Sequence, residues 1–70
     1  MEVIQFSLSQ DYIQLIKLLK LLNLCESGAD AKIAVEDGLV QLNNNVELQK
    51  RKKLRKGDII LYLNNRIEIS

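Results

Sequence analysis

Seventy residues, 47% of them apolar, carry a formal net charge of only +1, enough hydrophobic material for one small folded unit and too much for a disordered chain. There is no histidine and a single cysteine, Cys25, which excludes an intrachain disulfide, a zinc site built on Cys25 and the commonest general base. Glu2 stands where an export signal would place a basic residue, and Lys17 and Lys20 interrupt the apolar stretch Tyr12 to Leu24, so a soluble, reducing, cytoplasmic setting without a membrane span is expected.

Ile4, Phe6 and Leu8 alternate with Gln5 and Ser7, the pattern of a half-buried strand. With Ser9 or Asp11 as cap, Tyr12 to Asn23 reads as helix. Its polar residues Asp11, Gln14, Lys17 and Lys20 fall every third position in one narrow stripe, which predicts a helix enclosed on most sides. Ser27, with Asp30 three residues on, opens a second helix running through Asp37, with Ala31, Ala34 and Val35 on one face and Gly38 as its left-handed stop. The link Leu24 to Glu26 is short, which makes the two helices a helix–turn–helix pair. Val40 and Leu42 form a strand. Asn43, Asn44 and Asn45 supply the positive φ angles of a tight turn, and Val46 and Leu48 continue on its far side. Gly57-Asp58 marks another turn, Ile59 to Leu63 a strand, and Asn64-Asn65 a turn into a last strand from Arg66 to Ile69. The order predicts an α+β fold, a helix–turn–helix pair packed on a small, mainly antiparallel sheet.

Between these strands lies the chain's most polarised segment. Six of the seven residues from Lys50 to Lys56 are cationic: Lys50, Arg51, Lys52, Lys53, Arg55 and Lys56. From Met1 to Glu47, by contrast, three lysines face seven acids. A cationic patch on a near-neutral body attracts a polyanion locally, and nucleic acid is the first candidate. An extended segment would send alternate side chains apart, so about half of the six would reach phosphate, with Leu54 anchoring the run to the core.

Two stretches carry a family resemblance. In the first, Ser27-Gly28-Ala29-Asp30-Ala31-Lys32 is followed by Gly38-Leu39-Val40-Gln41-Leu42-Asn43; the second is Leu54-Arg55-Lys56-Gly57-Asp58-Ile59-Ile60. Together they resemble the alpha-L RNA-binding domain, named for a ribosomal small-subunit protein of the S-four type. More narrowly, the chain is similar to the short, stand-alone bacterial YbcJ-like group, with its extra N-terminal strand and its Arg/Lys run before Gly-Asp. Gly28 stands where much of the wider family has arginine, and Asn44 replaces a hairpin glycine that Asn can imitate in the left-handed region.

The resemblance implies one alpha-L domain over residues 1–70. It implies a non-enzymatic module that binds structured RNA, ribosomal or transfer RNA, in translation, ribosome assembly or RNA metabolism. A ribosomal or RNA-processing protein would be a further partner, and neither cofactor, metal nor membrane is called for. The expected RNA-contacting residues are Ser27, Gly28, Lys32, Asn43, Lys50, Arg51, Lys52, Lys53, Arg55 and Lys56, with Ser27 also a helix cap and Asn43 a turn residue first.

Only Phe6, Tyr12 and Tyr62 are aromatic, and Phe6 and Tyr12 sit in core-like patterns. Single-strand binders need several stacking platforms, so recognition through backbone and shape is expected instead. The three glycines hold no phosphate-loop or dinucleotide fingerprint. The rival expectation is a protein-interaction module that dimerises or docks through the Leu-rich first helix. An enzyme using Cys25 is a third, with no basic neighbour in sequence to activate the thiol.

Overall fold

The computed structural model describes all residues, 1–70. In chain order the elements are β1 (Glu2–Phe6), β2 (Ile13–Gln14), α1 (Leu15–Leu21), α2 (Gly28–Glu36), β3 (Val40–Leu42), β4 (Asn45–Val46), β5 (Lys53–Leu54), β6 (Ile59–Tyr62) and β7 (Asn65–Ile69). Five strands form one sheet in the order β1-β7-β6-β3-β4, while β2 and β5 pair separately. Strand β1 runs parallel to β7, and every other pair is antiparallel. The fold is therefore α+β, a helix pair on a mainly antiparallel sheet with an added N-terminal strand.

Period-two alternation decides which face of the sheet is covered. Val40, Leu42, Ile60, Tyr62, Ile67 and Ile69 turn inward and join Leu15, Leu18 and Leu19 of α1 with Ala31, Ala34 and Val35 of α2 in one core. The alanines let α2 lie close to its neighbour. On the opposite face Arg66 donates to Glu68 and Gln5 donates to the same carboxylate. The Arg66 bond, then Gln5, hold the Glu68 carboxyl below its ordinary value.

Helix α2 follows its sequence. The Ser27 hydroxyl accepts from the Asp30 amide (3.2 Å), and Gly38 leaves the helix at φ +75°. The hairpin after β3 also forms as the asparagines dictate. Leu42 faces Asn45 across a tight turn whose central Asn43 and Asn44 both have positive φ (51° and 73°), the type I′ requirement.

The first helix departs from expectation. Tyr12 is outside it, Ile13–Gln14 is strand, and neither Ser9 nor Asp11 caps it; the N-cap is Gln14, with no side-chain bond. The carbonyls of Lys52 and Lys50 instead accept from the Leu15 and Ile16 amides (2.9 and 3.1 Å). A helix start must satisfy its free amides somehow, and here the backbone of the basic run does so. Enclosure is also narrower than the polar stripe suggested, since Leu21 is 58% exposed. Beyond the hairpin, Val46 and Leu48 are exposed rather than continuing a packed strand. The Glu47 carboxylate accepts from the Gln49 amide (3.1 Å) and draws the chain off the ladder.

The β6–β7 turn holds Leu63 at φ 53°, 67% exposed. A leucine there carries left-handed strain of about 1 kcal/mol without burying its side chain. Leu63→Asn should accordingly stabilise the protein by about 0.5–1 kcal/mol in urea titration.

Candidate nucleic-acid interface

The basic run is shaped by its backbone rather than by its charges. The Lys52 amide donates to the Gln49 carbonyl (3.1 Å) in a turn, after which Lys53 and Leu54 pair with Gln14 and Ile13. Leu54 is fully buried. At the far end the Asp58 carboxylate accepts from the Arg55 amide (2.7 Å) and from the Asn43 side chain (3.1 Å), while the Asn43 oxygen accepts from the Ile59 amide (2.9 Å). With the carbonyls of Lys50 and Lys52 held by α1, the run is fastened at both ends. Its cations are presented on a backbone fixed by these bonds, so little backbone entropy remains to be lost on binding.

Four of these cations, Arg51, Lys52, Lys53 and Arg55, line an open recess of about 380 Å³ with Gln49 and no apolar residue. Lys50 is not among them and lies near Lys32 of α2. An ammonium has donors only, so the charged forms of this pair repel. The Lys50 pKa is lowered from the ordinary 10.5, first by the hydrogen bond that its neutral amine can accept from Lys32, then by desolvation and by the charge of Lys32, against a weaker pull from Glu36. The molecule's one ion pair is Arg66–Glu68, so no cation of the run has a carboxylate partner.

The sign of that shift is testable. A lysine with a depressed folded-state pKa binds its proton more weakly when folded, so stability rises with pH through the window between the lowered value and the unfolded one. Lys32→Gln should reduce that rise and return the Lys50 titration toward 10.5, which ¹³Cε chemical shifts would follow. A bound phosphate should have the same upward effect in the unaltered protein.

Residue Tyr12 completes the arrangement. Continuing the Ile13–Leu54 and Gln14–Lys53 register by one residue sets Tyr12 opposite Arg55 and diagonal to Lys53. The Lys53 ammonium lies 4.8 Å and the Arg55 guanidinium 5.9 Å from the ring centroid, within cation–π range. Tyr12 is 37% exposed, so the core position read from the apolar pattern is corrected.

The S4 domain family pattern matches residues 6–70. The chain belongs to the S4 domain family. It is 37% identical over 65 residues to the "putative RNA-binding protein YbcJ" of Escherichia coli strain K12, across 91% of this chain and 93% of that one. A YbcJ protein of Shigella flexneri matches over the same shares at the same identity. A solution structure of E. coli YbcJ, described as revealing an alphaL motif involved in RNA binding, superposes with a TM-score of 0.71 at 36% identity, covering 93% of this chain and 84% of that one.

In this S4 domain the residues singled out from sequence fall into separate groups. Lys32 meets Lys50; Arg51, Lys52, Lys53 and Arg55 share the recess; Lys56 is exposed at the Gly57 turn. Ser27 caps α2, Gly28 begins it with open space where a side chain would go, and Asn43 ties the hairpin to Asp58. Cys25 is buried, its thiol donating to the Tyr62 hydroxyl (3.7 Å). No helix is long and apolar enough to cross a membrane.

Proposed function

We propose that residues 1–70 act as a single, non-enzymatic RNA-binding domain. Its ligand is structured RNA, ribosomal or transfer RNA, bound in the cytoplasm during translation, ribosome assembly or RNA metabolism, with a ribosomal or RNA-processing protein as further partner. The observation carrying this is the set of cations from Lys50 to Lys56, held on a fixed backbone without ion-pair partners and continued onto α2 by Lys32. Unpaired cations on a preorganised backbone release phosphate counterions on binding with little ordering cost. The RNA-binding description of the E. coli relative points the same way. Lys32, Lys50, Arg51, Lys52, Lys53, Arg55 and Lys56 are the phosphate contacts in this reading. Ser27, Gly28 and Asn43 take the lesser part, because Asp30 already places a carboxylate in the first turn of α2 and the Asn43 amide is engaged at both ends.

Affinity for ribosomal RNA fragments, transfer RNA and duplex DNA across a salt series tests the reading. Log affinity should fall linearly with log salt, by about 0.9 for each phosphate contact on a duplex, and both RNAs should bind more tightly than DNA. Equal affinity for all three would reduce the function to general polyanion binding. The rival, a dimer through the Leu-rich helix, finds Leu15 and Leu18 already without exposed surface. Sedimentation as a monomer at micromolar concentration would remove it.

A further inference from the structure

Beside the cationic recess lies a second one, of a different character. About 400 Å³ in volume, it is lined by Gln10, Asp11, Tyr12, Ile13, Gln14 and Lys17. One carboxylate and one ammonium cancel, so this recess does not favour a phosphate as its four-cation neighbour does. It offers instead an aromatic ring, the carboxamides of Gln10 and Gln14 with donor and acceptor each, an acceptor on Asp11 and a donor on Lys17. That set suits a flat, apolar-faced group with a polar edge. Tyr12 joins the two recesses, for it lines the neutral one while Lys53 and Arg55 of the cationic one lie over its ring.

The geometry points to a single-nucleotide site. The base of one unpaired nucleotide lies in the neutral recess on Tyr12, its edge read by Gln10, Asp11 and Gln14, and the adjoining phosphate sits among Arg51, Lys52, Lys53 and Arg55. This rests on the RNA-binding reading above and deepens it. Bases inside a duplex are stacked and paired, so the RNA must present one base out of the helix, at a bulge or loop, beside a paired stem. One platform serves one base, which separates this mode from that of single-strand binders with several.

Two hairpin RNAs test it, identical except that one carries a single unpaired nucleotide in its stem, together with a third in which that nucleotide is abasic. The bulged RNA should bind more tightly than the fully paired one by on the order of tenfold, the size of one base–aromatic stack, and the abasic RNA should lose that advantage. Tyr12→Leu should abolish the preference, read as the ratio of bulged to paired affinity within that one variant, so that any loss of phosphate binding common to both RNAs cancels. The chain has no tryptophan, so Tyr12→Trp introduces one reporter at the site. Its fluorescence should be quenched by the bulged RNA and not by the paired or abasic ones. Equal affinity of the unaltered protein for bulged and paired RNA, or an unquenched Tyr12→Trp variant, overturns the site and leaves phosphate binding standing. Absence of salt-dependent binding to any of the three overturns the RNA-binding reading as well.

Discussion

Changing Arg51, Lys52, Lys53 and Arg55 together to Gln is expected to weaken binding to structured RNA by roughly a hundredfold or more at low salt, given about 1 kcal/mol per exposed charge contact. The salt dependence should flatten with it, by about 3 to 4 units of slope at roughly 0.9 for each phosphate no longer neutralised. Thermal stability should change little, because none of the four has an ion-pair partner, their backbone bonds run through main-chain atoms that the substitutions keep, and the cation–π contacts of Lys53 and Arg55 with Tyr12 are worth only about 0.5–1 kcal/mol each at an exposed site. Fluorescence anisotropy against salt, alongside calorimetry, reads both quantities. An unchanged slope would mean that these side chains do not touch phosphate.

Leu54→Ala is the second large effect, and it acts without altering charge. Leu54 is fully buried and faces Ile13 across the short β2–β5 ladder, so truncation should cost about 2–5 kcal/mol. For 70 residues the whole stability is about 3.5–10 kcal/mol, which makes the loss large enough to populate unfolded chain at room temperature. The basic run also loses its anchor, so the molecules still folded should bind RNA more weakly. Leu18→Ala supplies the contrast. Leu18 is as deeply buried on α1 but has no backbone bond to the run, so it should cost similar stability in urea titration while the folded fraction keeps its RNA affinity.

These two substitutions separate what charge does from what placement does, a separation the sequence only half contains. The Lys50–Lys56 cluster and its lone Leu54 are legible in the primary structure, and Leu54 is buried as that pattern predicted. That Lys50 would come near Lys32 of α2 and stay out of the recess its neighbours line was not legible. It depends on a turn closed by the Gln49 carbonyl and on the α1 amides claiming the carbonyls of Lys50 and Lys52. Tyr12 was misplaced for the same reason. The polar residues Asp11, Gln14 and Lys17 fit a helical period, and what overrode it is a strand thirty-nine or more residues away in sequence, Lys53–Leu54. Val46 and Leu48 have strand character but no layer to cover them, and they lie exposed.

Local chemistry, then, settled the elements whose partners are near in sequence: the Ser27 cap, the Gly38 stop, the Asn43-Asn44 turn and the inward faces of β3, β6 and β7. Those features follow from φ preferences, hydrogen bonds within a few residues and side-chain period, all written residue by residue. Tertiary structure decided where α1 begins, which way each cation points, and that one aromatic ring is exposed between two recesses of opposite character. Each of these turns on backbone donors and acceptors far apart in the chain, whose pairing is fixed only once the core has closed.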